Sequence, residues 1–363
     1  MKNYIFFLLI IFLSCANVIP PEGGPKDTFP PIVLDSAPHN QSVYFTDNLI
    51  TIYFDENVTI KNESNIHTLP EPDLIQSINS KGKIIEINLK NELRKKTTYV
   101  IDFKGSIVDL NEGNKLKDFK YVFSTGEAID NSVIYGSVAV FDQNEPAENS
   151  LVGLYIGDIT NNFDSIIRAQ KPDFFAFTNE NGYYNYSNLK NGIYTLMCVE
   201  DKNLNLKYEL NERVSMPLII NLKDSLQKNM KIFLDERHSL TIKKDSINNS
   251  LLNMNEDSIG EKLPEYGLLN LFFSPKFYKN KHYIGQIIAD GEVLQDFYIN
   301  DSIVTINKVQ KGVFQLRIVH DLNKNKQWDT GNVKTLKHPE QIYFFKDSIH
   351  IRANWELNLN IDI

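Results

Sequence analysis

Short runs along this chain alternate apolar and polar residues with a period of two, or stay apolar with β-branched residues. The runs ITIYF (50–54), IIEINL (84–89), YVIDF (99–103) and YVFST (121–125) are short and rich in β-branched or aromatic residues. Turn residues separate them, among them Ser80-Lys81-Gly82 and Asp109–Asn114. Successive side chains of a strand point to opposite faces, so this pattern predicts half-buried strands. Strands at roughly 10–15-residue spacing with no helical period predict a β-sandwich over 32–128. A second set occupies 129–235, with VIYGSVAVF (133–141), LVGLYIGD (151–158) and FFAFTNENGYYNYSNL (174–189). Asn181-Gly182, between two aromatic runs, is the strongest short hairpin signal in the chain. A third set, LLNLFF (268–273), YIGQII (283–288), VFQLRIV (313–319) and IYFF (342–345), occupies 264–363. Between the second and third, residues 236–263 are polar, have no clear period and read as a linker. The expected fold class is all-β, as tandem β-sandwich domains.

The N-terminus breaks the pattern. Lys2 precedes ten apolar or aromatic residues, Tyr4–Leu13, and then Ser14-Cys15. As a helix that run rises ~15 Å, about half of a ~30 Å hydrocarbon core. It therefore reads as a signal peptide over 1–14 and not as a spanning helix. Residues 16–31 hold five prolines and two glycines, and 15–31 reads as an extended tether.

Composition narrows the function classes. Aromatics are 11% of the chain, which favours strands. The net charge of −8 excludes the basic footprint of a nucleic-acid binder. Two cysteines, Cys15 and Cys198, exclude a disulfide scaffold and a multi-cysteine zinc site. Cys198 lies in the apolar run Ile193–Val199 and is expected in the core.

Several segments resemble known families. A small residue and a cysteine at the end of the apolar run resemble a bacterial lipoprotein signal, with Phe12 where a leucine is usual. The resemblance implies that Cys15 is lipidated, cleaved to the new N-terminus and held in a membrane. Pro31, Ser36-Ala37-Pro38, ITIYFDENV (50–58) and FKYVFSTG (119–126) resemble the bacterial Ig-like domain first named in S-layer proteins. The spacing T-x-x-x-G-x-Y-x-Y over 178–186, then Gly192-Ile193-Tyr194, resembles the prealbumin-like or carboxypeptidase-regulatory-like β-sandwich. Trp328–Gly331, Pro339-Glu340 and Arg352–Trp355 resemble the C-terminal region of Ig-like lipoproteins of Bacteroidetes, as does the opening CANVIPPEGGPKDTFPP. These resemblances imply an Ig-like domain and, after it, two prealbumin-like domains on an outer-membrane lipid anchor, none with chemistry of its own. Ala16–Ile19 carries no acidic residue, which favours the periplasmic face.

An internal repeat links the last two sets. GIYTLMCVEDKNLNLKYE (192–209) aligns without a gap on GVFQLRIVHDLNKNKQWD (312–329), with six of eighteen positions identical. Each copy ends an apolar strand in D-x-N-x-N. The oxygen-bearing side chains fall at positions 1, 3, 5 and 9: Asp201, Asn203, Asn205 and Glu209, then Asp321, Asn323, Asn325 and Asp329. That is a calcium-type spacing, with Glu212 at position 12 of the first loop and Asn332 at position 12 of the second. Position 6 holds Leu206 and Lys326 in place of glycine, which weakens the calcium reading. The competing and favoured reading is a structural turn in which Asp and Asn cap their own backbone.

No catalytic or nucleotide-binding motif is present, and the seven histidines have no metal-ligand spacing. Asp55 and Glu56 are neighbours after a strand and are expected to point apart. The expected function is a non-enzymatic envelope lipoprotein making structural or protein contacts, without a cofactor. The alternative is a surface glycan binder, which requires exposed aromatics grouped in one cleft.

Overall fold

The computed structural model describes residues 26–70, 74–90, 92–238, 265–279 and 282–362. The signal peptide, Cys15, most of the tether and the linker beyond residue 238 lie outside the described residues.

Nine strands build the first unit: β1 (Val33–Ala37), β2 (Leu49–Phe54), β3 (Val58–Ile60), β4 (His67–Leu69), β5 (Ile75–Lys81), β6 (Ile84–Leu89), β7 (Thr98–Asp102), β8 (Ile107–Asp109) and β9 (Lys120–Ser124). Antiparallel sheets β1-β2-β6-β5 and β4-β7-β9 share one core, and β3 pairs with β8 beside them. The alternation read in the sequence is the reason. Ile50, Ile52 and Phe54 on β2 and Ile85, Ile87 and Leu89 on β6 are buried, while the residues between them face outward. Each such side chain contributes about 1.5–3 kcal/mol over remaining exposed. Tyr99 stacks on Phe123, and the Tyr121 hydroxyl donates to the Pro38 carbonyl at 2.7 Å, tying β9 to the end of β1.

The second unit contains β10 (Ser132–Val140), β11 (Leu151–Ile156), helix α1 (Phe163–Ala169), β12 (Phe174–Phe177), β13 (Tyr183–Leu189), β14 (Gly192–Val199), β15 (Arg213–Ser215), β16 (Leu218–Leu222), β17 (Leu226–Gln227) and β18 (Met230–Leu234). Its strands run β12-β11-β14-β15-β18-β10-β13, with β16 added to β14 and β17 to β10. Ile134, Leu154, Tyr186, Leu196, Ile232 and Cys198 fill the core, and burial pushes the Cys198 thiol far above its ordinary range. Phe163 and Ile167 of α1 cover the opposite face, against Tyr155, Met197 and Val199.

Asn181-Gly182 does form a tight turn, with Gly182 at φ +73° and the Asn179 side chain accepting from Asn181 and Tyr183 N–H. The turn does not close a hairpin, however. β12 pairs with β11 and β13 pairs with β10, so it carries the chain from one side of the sandwich to the other. Gly182 presses against β10 there, and a Cβ on it would lie 2.4 Å from the Val138 carbonyl oxygen.

The third unit comprises β19 (Tyr266–Phe273), β20 (Tyr283–Ala289), β21 (Glu292–Tyr298), β22 (Ile303–Gln310), β23 (Gly312–His320), β24 (Ile342–Phe344), β25 (Ile349–Ile351) and β26 (Glu356–Ile361). Sheets β22-β19-β26 and β21-β20-β23-β24, with β25 added to β23, enclose Leu269, Leu271, Ile287, Leu316 and Ile318. Its connectivity repeats that of the second unit. The first strand is parallel to the last (β10 with β17 and β18; β19 with β26) and antiparallel to β13 or β22. The next strand pairs with β12 and β14, or with β21 and β23. β14 then carries β15 and β16 just as β23 carries β24 and β25. One pairing is not repeated: β15 joins β18, whereas β24 does not join β26.

Candidate functional site: the paired loops and the domain junction

The repeated loops have the same geometry to the level of single hydrogen bonds. Asp201 accepts the N–H groups of Asn205 (3.2 Å) and Leu206 (2.8 Å); Asp321 accepts those of Asn325 (3.1 Å) and Lys326 (2.9 Å). Asn203 and Asn323 each accept from the residue two further on, and Asn205 and Asn325 do the same. The amide groups of Asn203 and Asn205 donate to Glu209 at 3.0 and 2.9 Å, and those of Asn323 and Asn325 donate to Asp329. Positive φ falls at matching positions, Leu204 and Leu206 in one loop and Lys324 and Lys326 in the other. The sequence-predicted residues are thus brought together in both loops, and each set closes on itself through its own N–H donors. No group of three His, Cys, Asp or Glu side chains able to hold a metal ion occurs among the described residues.

A second carboxylate completes each loop. Glu212 is buried and accepts from Lys202 N–H and Glu209 N–H, both at 2.9 Å. Burial, more than its hydrogen bonds or the nearby Asp201 and Glu209, sets its pKa and raises it above the ordinary glutamate value. In the second loop the same place is taken by Glu340, which accepts from Leu322 N–H (2.7 Å) and Asp329 N–H (3.1 Å). Asn332, at position 12 by spacing, turns away and donates to Glu236 at 2.7 Å. Counting along the chain therefore finds Glu212 and misses Glu340, although Pro339-Glu340 stands out in the sequence.

The aromatic residue in each loop grips whatever lies beside it. Tyr208 is buried against α1, and its N–H donates to the Ile167 carbonyl at 2.9 Å. Trp328 instead reaches the second sandwich. It stacks on Phe141 at 6.3 Å, lies 5.5 Å from the Arg317 guanidinium, and donates through Nε1 to the Glu340 carbonyl. Buried Arg317 donates in turn to Gln286 and to the Asp142 carbonyl (3.0 Å) just past the end of β10.

Gly331 and Val333, just beyond Trp328, make the junction between the second and third sandwiches. Glu236 N–H donates to the Gly331 carbonyl, and Val333 N–H to Asp235, whose side chain is fully buried. Arg237 bridges Asp235 and Asp164, the latter at the start of α1, with contacts of 2.8 Å to each. Burial works to raise the Asp235 carboxyl, but hydrogen bonds from the Arg237 side chain, Arg237 N–H and Val333 N–H outweigh it and hold it below the ordinary range. Gly331 leaves no room for a side chain: a Cβ there would lie 2.6 Å from Phe233 ring carbons and 2.8 Å from Pro339 Cδ. A cavity of about 190 Å³ opens beside it, lined by Phe141, Met216, Met230, Phe233, His338 and Pro339. The first and second sandwiches meet through Arg94 and Asp173 at 3.3 Å, His67 edge-on to Phe175, Leu69 against the second core, and Lys190 donating to the Lys96 carbonyl.

The remaining candidates are dispersed. Asp55 and Glu56 lie in a bend just past β2, and Asp55 accepts Ile32 N–H at 2.8 Å. The exposed aromatics Phe29, Tyr44, Tyr53, Tyr135, Tyr183, Tyr266, Tyr298 and Trp355 are spread over all three sandwiches. No helix among the described residues is long and apolar enough to cross a membrane.

Residues 27–125 match the bacterial Ig-like domain family, which agrees with the resemblance carried by ITIYFDENV and FKYVFSTG. No curated protein matches the sequence. Among solved structures the chain is similar to the Bacillus anthracis TIE protein, with 11% identity over 94% of this chain and 59% of that one, at a TM-score of 0.19. It is also similar to the minor pilin of Streptococcus agalactiae, with 13% identity over 63% of this chain and 94% of that one, at 0.22. A DUF3823 family protein from Bacteroides uniformis gives 9% identity over 61% of this chain and 100% of that one, at 0.21. The chain spans 59% of the length of the Bacillus anthracis protein it matches.

Proposed function

We propose that this chain is a non-enzymatic cell-envelope lipoprotein, anchored through Cys15, whose tandem sandwiches form a scaffold for protein contacts. Its place is the outer membrane, as an accessory subunit of an envelope complex, with the periplasmic face favoured. The observation that supports this reading is the use made of the polar side chains. The D-x-N-x-N loops, Glu212, Glu340, Asp235, Arg237 and Arg317 are spent on closing turns and on joining two sandwiches. An arrangement that commits its charged groups to rigidity suits a spacer that presents surfaces at a fixed separation. At the two loops the structural-turn reading is preferred to the calcium one, because the leading aspartates already accept the loops' own N–H groups.

Two measurements test the main reading. Fatty-acid labelling in cells should tag the wild-type chain and not Cys15→Ala; equal labelling of both removes the anchor. Mild crosslinking in intact cells and then pull-down should recover the same envelope proteins repeatedly. Reproducible recovery of none overturns the scaffold, and recovery of polysaccharide in their place favours the glycan binder.

A further inference from the structure

A strand at the edge of a sheet presents unpaired N–H and C=O groups and invites pairing with another chain, so folded proteins blunt their edges. This protein does so almost everywhere. β1, β5, β13, β21 and β22 are interrupted by bulges or shifts of register. β3, β4, β8, β17, β24 and β25 are three residues long or shorter. β9 is covered by the segment before β2, through Phe45 N–H to the Ser124 carbonyl. β12 lies against the first sandwich through Phe175, and β16 is bracketed by Pro217 and Lys223.

β26 has none of these devices. Its six residues, ELNLNI, pair with β19 in one unbroken parallel register from Leu268↔Glu356 to Phe273↔Ile361. It contains no Lys, Arg or Pro. Among the described residues no backbone hydrogen bond reaches its outer edge. The matching stretch of the second sandwich is broken after β17, where Lys228 N–H donates to the Tyr135 carbonyl and Ser137 N–H donates to the Asn229 side chain. Leu357 and Leu359 are only half-buried on the core face of the exposed edge, and Trp355, just before the strand, is 64% exposed.

We propose that the outer edge of β26 pairs antiparallel with β26 of a second copy of this chain, across a two-fold axis at Asn358. The strand is complementary to itself in that register. Leu357 stands opposite Leu359 on the core face, and Glu356 stands opposite Asn360 on the outer face. Asn358 meets Asn358, where each amide can donate, and its oxygen, which already accepts from Asn270 at 2.9 Å, has a second lone pair to accept. Trp355 gains Ile361 as an apolar neighbour. Moving the axis to Leu359 would set Glu356 against Asp362, like charges directly opposite, and moving it to Leu357 would set Asn360 against Asn354, whose N–H is already given to the Tyr266 carbonyl, so the Asn358 register is the one favoured. The symmetric pairing consumes the edge and closes the assembly at two chains. A contact of one strand per partner is small, and tethering both copies to one membrane raises its occupancy above that of the micromolar dimer in detergent through effective concentration. The proposal stands on the edge itself and does not depend on what else the scaffold binds.

Asn358→Cys in the full-length chain tests it, because Cys198 is fully buried and Cys15, on the anchoring reading proposed above, carries its sulfur in the lipid thioether, so neither competes. Treated in membranes with a short bismaleimide, Asn358→Cys should give a species of twice the mass of the untreated membrane-bound chain. It should form about tenfold faster than with Asn307→Cys, a cysteine on the far strand of the same sheet. Asn358→Lys, which sets like charges at the axis, should turn the detergent-solubilised dimer into a monomer in sedimentation equilibrium while leaving the melting temperature unchanged. Equal crosslinking at both positions, a wild-type monomer at micromolar concentration, or crosslinking of Asn358→Cys to a different polypeptide each overturns the proposal.

Discussion

Glu212 and Glu340 hold the same place in two repeated loops, although they reach it from different distances along the chain. Glu212 accepts an N–H ten residues before it, and Glu340 one eighteen residues before it. Each also accepts the N–H of the acidic residue at position 9 of its loop. The loops have kept a hydrogen-bond pattern and not a sequence position. Removing either carboxylate leaves two backbone donors without it, at about 1–3 kcal/mol for each one left buried. Glu340→Ala and Glu212→Ala should therefore destabilise their own sandwich by similar amounts in denaturant unfolding. A loss confined to Glu212→Ala would break the equivalence.

Gly331→Ala should part the second and third sandwiches. Its Cβ has no room between Phe233 and Pro339, and overpacking of this kind costs about 1–3 kcal/mol. Gly192→Ala, whose Cβ would meet its nearest neighbour at 3.9 Å, is the control and should be close to neutral. Limited proteolysis between residues 236 and 265 reads the difference. Equal cleavage of the two variants would remove Gly331 from the joint.

The junction should weaken in acid. The Asp235 carboxyl is held below its ordinary value of 3.8, so the folded state binds that proton less readily than the unfolded chain does. The stability this contributes is fully present above that ordinary value and is lost as pH falls through the depressed native one. Hydrogen exchange at Val333 N–H should therefore keep its full protection from neutral pH down to about 4 and lose it below. Asp235→Asn should be poorly protected throughout and lose the pH dependence. Glu212 runs the other way: its raised pKa means that its contribution falls as pH rises from the ordinary glutamate value through the native one.

Arg317 is a test of shape more than of charge. It binds Gln286 and the Asp142 carbonyl while lying over Trp328. Lysine keeps the charge and loses the planar fork and the stacking. Arg317→Lys should cost about 1–3 kcal/mol, nearly as much as Arg317→Met, and change Trp328 fluorescence from that of wild type. Full retention of stability by the lysine would reduce the site to a point charge.

The loops should hold without metal. Their leading aspartates are occupied by two N–H groups each, so chelator and millimolar calcium should give the same melting temperature. A rise with calcium that is lost in Asp201→Ala or Asp321→Ala would instead establish the calcium sites.

Much of the architecture was legible because alternation is a local property. The strands around Ile52 and Ile87 come from period two and the one around Leu154 from a short apolar run, and the repeat of Gly192–Glu209 in Gly312–Asp329 foretold the shared connectivity of two sandwiches. The features that escaped depend on which strand neighbours which. Asn181-Gly182 has the chemistry of a hairpin turn, yet its flanking strands find partners on different sides of the sandwich. Helix α1, seven residues long, is too short to show a period. Glu340 was hidden because an insertion moved it along the chain, and Asp235 and Arg237 because they sit at the start of a stretch that reads as linker. Only the fold brings Arg237 to Asp164.

The parallel pairing of β10 with β17 and β18 has a mechanical consequence. When first and last strands lie side by side and point the same way, the chain arrives at one pole of the sandwich and departs from the other. Tension between a membrane anchor and a partner gripping the third sandwich would pull these two strands past each other along their length. The ladder between Ile134–Val140 and Leu226–Ile232 would then share the force across all its hydrogen bonds at once, where a hairpin would unzip them one by one. A domain wired in this way resists stretching best along the line that runs from its first strand to its last.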